Sequence, residues 1–114
     1  MNIHNEIVRE LKSILPVHYE MALHSGLETP CISYMQLNNP IVALGDTLEY
    51  STYQYQIKVW DTNLGNVIEY SKQVDEKMRL LGFKRVSARE LGDKNSAMIQ
   101  KIMTYELFVK ITFS

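Results

Sequence analysis

The spacing of apolar positions changes along the chain, and each change marks an element. Over residues 3–15, Ile3, Ile7, Val8, Leu11, Ile14 and Leu15 recur at helical spacing with Glu6, Arg9, Glu10 and Lys12 between them. This is the pattern of an amphipathic helix with one buried stripe. Pro16 ends it, since proline has no backbone donor and its ring clashes with the preceding turn. A polar stretch holding Gly26 and Pro30 follows, and then the short run Cys31-Ile32-Ser33-Tyr34-Met35-Gln36 reads as a strand. Pro30 pushes Thr29 toward extended geometry and gives that strand its start.

Residues 38–48, Asn-Asn-Pro-Ile-Val-Ala-Leu-Gly-Asp-Thr-Leu, mix turn formers with apolar side chains and read as a loop able to meet a partner. The period then becomes two. Tyr53, Tyr55, Ile57 and Val59 alternate with Gln54, Gln56 and Lys58, which predicts a half-buried strand with one face on a core. Asp61, Thr62 and Asn63 are each good N-caps. Leu64, Val67, Ile68, Ser71, Val74, Met78 and Leu81 follow at helical spacing to Gly82, a natural residue just past a helix end. Phe83 to Glu90 reads as a strand and Gly92 to Ser96 as a turn. Met98 to Phe113 reads as a long strand with Ile99, Met103, Tyr105, Leu107, Val109, Ile111 and Phe113 on one side. Sixteen extended residues span about 53 Å, so this strand has to bend, carry a bulge, or run past the sheet as a hairpin arm. Lys101 breaks its apolar face and makes its first third the expected overhang. The order α-β-β-α-β-β predicts one α+β domain over residues 1–114, a small mainly antiparallel sheet with two helices packed on one face and a long C-terminal hairpin.

Composition narrows the class. A chain of 114 residues suits a single domain with a radius of gyration of roughly 13 Å. Hydrophobic residues make up 46% and charged residues 22%, ordinary globular usage that excludes disordered, collagenous and coiled-coil chains. No apolar run approaches the ~20 residues of a membrane-spanning helix. The first residues, MNIHNEIVRELK, are amphipathic where a signal peptide is cationic and then apolar. The expectation is a soluble intracellular protein without a membrane partner. Cys31 is the single cysteine and cannot form an internal disulfide.

Chemical signatures are missing. His4, His18 and His24 match no zinc spacing, so no metal is expected. Cys31, inside an apolar strand, reads as a small buried hydrophobe, because a reactive thiol needs an electropositive and accessible setting. There is no nucleophile elbow and no glycine-rich phosphate loop. Asp75 and Glu76 are adjacent on a helix and point in different directions, which makes them a solvated face rather than an acid/base pair. Tyr50, Tyr53, Tyr55 and Trp60 raise the question of base stacking, yet Tyr53 and Tyr55 share the face of Ile57 and Val59 and so belong to the core. No catalytic residue and no cofactor is expected, and the chain does not read as an enzyme.

Charge is uneven within a net of -1: residues 1–60 hold three Lys or Arg against six Asp or Glu, and residues 61–114 hold nine against seven. Within 77–101, Lys77, Arg79, Lys84, Arg85, Arg89, Lys94 and Lys101 stand against Glu90 and Asp93. This skew is too weak for a dedicated nucleic-acid domain, but it suits a protein that presents different faces to different partners. Lys84, Arg85, Arg89, Lys94 and Lys101 gather around one predicted hairpin. They form a candidate assembly interface toward DNA phosphates or an acidic protein surface, with a solvated face as the alternative.

The order of elements and several local strings resemble the tail terminator, or tail completion (tail-to-head joining), proteins of long-tailed bacteriophages and prophages. The likeness covers most of the chain. It is carried by the amphipathic N-terminal helix, Thr29-Pro30-Cys31-Ile32-Ser33-Tyr34, Tyr55-Gln56-Ile57-Lys58-Val59-Trp60-Asp61, and the helix through Val74 and Met78. The junction Leu81-Gly82-Phe83-Lys84-Arg85 and the alternating apolars of the last strand complete it. The resemblance implies a structural virion protein without catalytic residues, assembled in the host cytoplasm and located at the head-tail junction. It implies a homo-oligomeric ring, commonly a hexamer, on the head-proximal end of the tail tube, where it stops polymerisation and offers the surface that docks to the head. The implied partners are other copies of the chain, the tail tube protein and a head-completion or connector protein, with DNA passing through the lumen without sequence recognition. A head-completion or stopper ring of the same junction and a non-viral ligand-binding or regulatory module are the alternatives.

Overall fold

The computed structural model describes residues 2–20, 28–37, 41–44, 48–92 and 97–112. In chain order they form α1 (Ile3–Lys12), β1 (Val17–Tyr19), β2 (Cys31–Gln36), β3 (Ile41–Leu44), β4 (Leu48–Asp61), α2 (Leu64–Leu80), β5 (Lys84–Gly92) and β6 (Ile99–Thr112). The chain is thus a small α+β fold with a mostly antiparallel sheet and a C-terminal hairpin. The sheet runs β1-β2-β4-β6-β5, with β3 joined to β4 outside that path. Among the described strands only the β1–β2 pair is parallel.

Two strands depart from the sequence expectation. Within residues 38–48, read above as a loop, Ile41–Leu44 pairs with Glu49–Thr52, so β4 begins at Leu48 rather than near Tyr53. This stretch lacks alternation, and its strand state comes from pairing in a hairpin. β1 is three residues long, too short to leave a pattern, and the Ile32 amide donates to the Pro16 carbonyl at 2.8 Å where it begins.

The helix ends follow local chemistry. Asn63 caps α2, its side chain accepting from the Asn66 amide at 2.9 Å, while Asp61 accepts from the Thr62 amide at 2.7 Å and from Asn66 Nδ2 at 3.1 Å. At the far end Gly82 adopts φ 95°, its amide donates to the Arg79 carbonyl, and the Phe83 amide donates to the Met78 carbonyl, each at 2.9 Å. This paired arrangement satisfies carbonyls that a helix terminus otherwise leaves open, and it favours glycine in the left-handed position. It also turns Phe83 inward, where it is buried.

Both helices cover one face of the sheet. Ile7 and Leu11 of α1 and Val74 and Met78 of α2 pack in one cluster with Ile32 and Tyr34, with Tyr55, Ile57 and Val59, and with Met103, Tyr105 and Leu107. The predicted register of β4 is therefore the observed one.

The overhang lies at the other end from the one expected. β6 pairs with β4 along its whole length, from Ile99 opposite Asp61 to Thr112 opposite Leu48, and β5 flanks only Ile99–Glu106. Its first third thus has a strand on each side. The part that runs on is the last third, together with Leu48–Gln54 of β4 and with β3, past the end of β2 at Gln36. Lys101 does not force an overhang because Glu90 stands directly opposite it, with Nζ 3.0 Å from Oε1. The arm stretches the molecule to 54 × 24 × 22 Å and raises its radius of gyration to 15.6 Å, above the roughly 13 Å of a compact chain of this length.

Candidate functional site

β5 is an edge strand, and all nine of its residues are exposed. Its pairing with β6 is interrupted by a bulge: Arg85 stands opposite Tyr105 and Ser87 opposite Thr104, leaving Val86 as the extra residue. One extra residue reverses which face every later side chain takes. Arg85 therefore lies on the helix-covered face, whereas Arg89, opposite Ile102, lies on the helix-free face. Without the bulge these two arginines, four residues apart, share a face.

The four described residues of the five in the predicted interface, Lys84, Arg85, Arg89 and Lys101, are accordingly not one patch. Lys84 stands opposite Glu106 and shares the helix-free face with Arg89, while Lys101 is ion-paired with Glu90 on the helix-covered face. Lys94 lies outside the described residues. Of the set, Lys84 and Arg85 line the same concavity.

That concavity is a notch of about 340 Å³ between the last turns of α2 and the start of β5, lined by Asp75, Arg79, Phe83, Lys84, Arg85 and Tyr105. Asp75 is its hub. Its Oδ1 accepts from the Tyr105 hydroxyl at 3.0 Å and lies 3.6 Å from Arg85 Nη1, while Oδ2 accepts from Arg79 Nη2 at 3.0 Å. Burial pushes the Tyr105 phenol far above its ordinary pKa, and the Asp75 carboxylate pushes it the same way by charge and by accepting its proton. The flanking arginines oppose this more weakly. Tyr105 is therefore a neutral donor at every ordinary pH, and its role is to hold Asp75.

Asp75 is not the solvated carboxylate that its neighbour Glu76 suggests. The pairing of Asp75 with Arg79 was legible, because residues four apart are neighbours on a helix surface. The partnership with Tyr105 was not, because Tyr105 belongs to an apolar alternation that marks it as core.

The remaining chemistry-bearing side chains take structural roles. Cys31 is 2% exposed, and burial raises its thiol pKa, so it stays protonated and unreactive. His4 is half-buried and bonded to the Tyr34 hydroxyl at 2.9 Å rather than lying free at the surface. On the helix-free face, Trp60 Nε1 donates to Ser33 Oγ at 2.9 Å, Lys58 pairs with Glu20, and the Lys58 ammonium sits 5.8 Å from the Trp60 ring centroid. Among the described residues no three His, Cys, Asp or Glu side chains are grouped to hold a metal ion. No described helix is long and apolar enough to cross a membrane. No protein-family model matches the chain, and no curated protein matches it.

Proposed function

We propose that this chain is a ring-forming tail terminator, which caps the head-proximal end of a phage tail tube, stops its growth and presents the surface that docks to the head. The observation that supports the reading best is the shape of the sheet. A domain whose task ends at its own core has no use for a ladder that leaves that core behind, yet β3, the first half of β4 and the last third of β6 continue past β2 as an arm. Among the described residues, the unpaired edge of β3 and that of β5 lie on opposite sides of the sheet. Contacts between two different surfaces of identical copies are heterologous, and they close into a ring where the rotation between copies permits it. A strand edge is also a ready site for addition by a neighbour.

Capping a tube is a matter of occupying its end with a surface that the next subunit cannot match. It requires no turnover and no ionisable active site, and the chemistry of the described residues suits such a role. The test is genetic and biochemical. Deleting the gene from its phage is expected to leave filled heads and unjoined tails, with many tubes longer than normal. Purified protein is expected to cap tubes of proper length without nucleotide or added metal. Infectious particles with normal tails made in its absence would rule the reading out and turn attention to a ligand-binding or regulatory role.

A further inference from the structure

The notch between α2 and β5 supports an inference that does not depend on the terminator reading. We propose that it is a docking site for carboxylate side chains of an acidic protein segment. Arg79 and Arg85 flank the single carboxylate of Asp75 and Lys84 lies at the rim of the same notch, so the locus is cationic in a chain whose net charge is -1. Each arginine meets Asp75 through one terminal nitrogen. A guanidinium has five N–H donors, so most of each fork remains for an incoming group. Both side chains are accessible, at 75% for Arg79 and 47% for Arg85.

Accessible arginines on a surface are ordinarily loose, and ordering them costs binding energy. Here the cost is partly met in the folded state, because Asp75 tethers both guanidinium groups and is itself held by the buried Tyr105 hydroxyl. Preorganised forks of this kind suit carboxylates, which accept two parallel N–H bonds. Phe83, 4% exposed, gives the notch an apolar wall against which the methylenes of a glutamate can pack. The volume of about 340 Å³ is at the small end of binding clefts, room for a side chain or two.

The surroundings favour an acidic peptide over a nucleic acid. A phosphate backbone needs a track of positive charge, whereas Glu76 flanks Asp75 on α2 and the bulge at Val86 sends Arg89 to the other face of the sheet. The positive charge is a point, not a track.

The test is a titration of the intact protein with a hexaglutamate peptide at low ionic strength, where exposed charges are least screened. Binding is expected, and Arg85→Gln is expected to weaken it by at least about tenfold, the equivalent of one charge-assisted hydrogen bond. Arg89→Gln, on the same hairpin but the opposite face, is expected to leave it unchanged. Both positions are exposed, and thermal melts confirm that each variant is folded. Absence of peptide binding overturns the proposal. So does equal weakening by the two variants, which would mean diffuse surface charge, or tighter binding of inorganic phosphate or a short DNA duplex than of the peptide.

Discussion

The two halves of the β4–β6 ladder follow the same alternation and meet different surroundings. In one half, Tyr55, Ile57 and Val59 of β4 and Met103, Tyr105 and Leu107 of β6 are buried beneath the helices. In the other, the ladder continues for several more pairs past the end of β2 with β3 beside it, and Val109, the next residue after Leu107 on the same face, is only partly buried. Cross-strand hydrogen bonds sustain a ladder wherever two strands run together, but burial requires a second layer to pack against it. The half beneath the helices therefore carries most of the stability of the domain, and the half beyond β2 offers reach.

The sharpest way to break this contrast is to place a charge on each face of the covered half. Ile57→Asp is expected to cost several kcal/mol and to unfold the domain, because its carboxylate is buried between Tyr34 and Met103 on the neighbouring strands. Gln56→Asp, on the half-buried opposite face, is expected to cost far less. Equal melting temperatures for the two would mean that the register of β4 is wrong.

The boundary between the halves is tested at successive positions on one face. Leu107→Ala is expected to lose about 2–4 kcal/mol in urea unfolding, as truncations of buried leucine do. Val109→Ala, on the same face but only partly buried, is expected to lose about 1 kcal/mol or less. Comparable losses would extend the core into the arm.

A smaller effect probes the polar seam of the covered half. Tyr105→Phe removes the hydroxyl that holds Asp75 and is expected to cost about 1–2 kcal/mol at neutral pH. Its signature is in alkali. The phenol pKa is raised in the folded state by burial and then by Asp75. Its contribution is therefore fully present below the ordinary tyrosine pKa of about 10 and is lost as pH rises beyond it. Stability of the native protein should fall above about pH 10 more steeply than that of Tyr105→Phe, with Tyr34 and Tyr55, also raised by burial, giving the residual slope shared by both. Parallel curves would remove Tyr105 from the seam.

The smallest effect runs the other way. Ser71 is buried on α2 and its hydroxyl has no hydrogen-bond partner among the described residues. Ser71→Ala removes an unsatisfied polar atom and raises helix propensity, so a gain of up to about 1 kcal/mol in unfolding free energy is expected. A loss there would show that the hydroxyl finds a partner in solution.

Features set within one turn or one strand were legible in the sequence: the Asn63 cap, the Gly82 stop, the α1 stripe and the inward face of β4 each rest on residues a few positions apart. Their physics is local, a side-chain oxygen reaching an amide one turn away or a missing Cβ permitting positive φ, so chain order alone determines them. The strand at Ile41–Leu44, the placing of the overhang and the notch around Asp75 depend on groups far apart in sequence, and only the packed sheet decided them. The bulge at Val86 shows why. Phe83 has to enter the core just after the α2 terminus, and Glu90 has to stand on the same face to meet Lys101, yet the two are seven positions apart and strict alternation puts them on opposite faces. One residue too many is absorbed at Val86, and that reversal, invisible to any count of charges along β5, sends Arg89 to the other face while Arg85, which precedes it, keeps the face of Phe83 and meets Asp75.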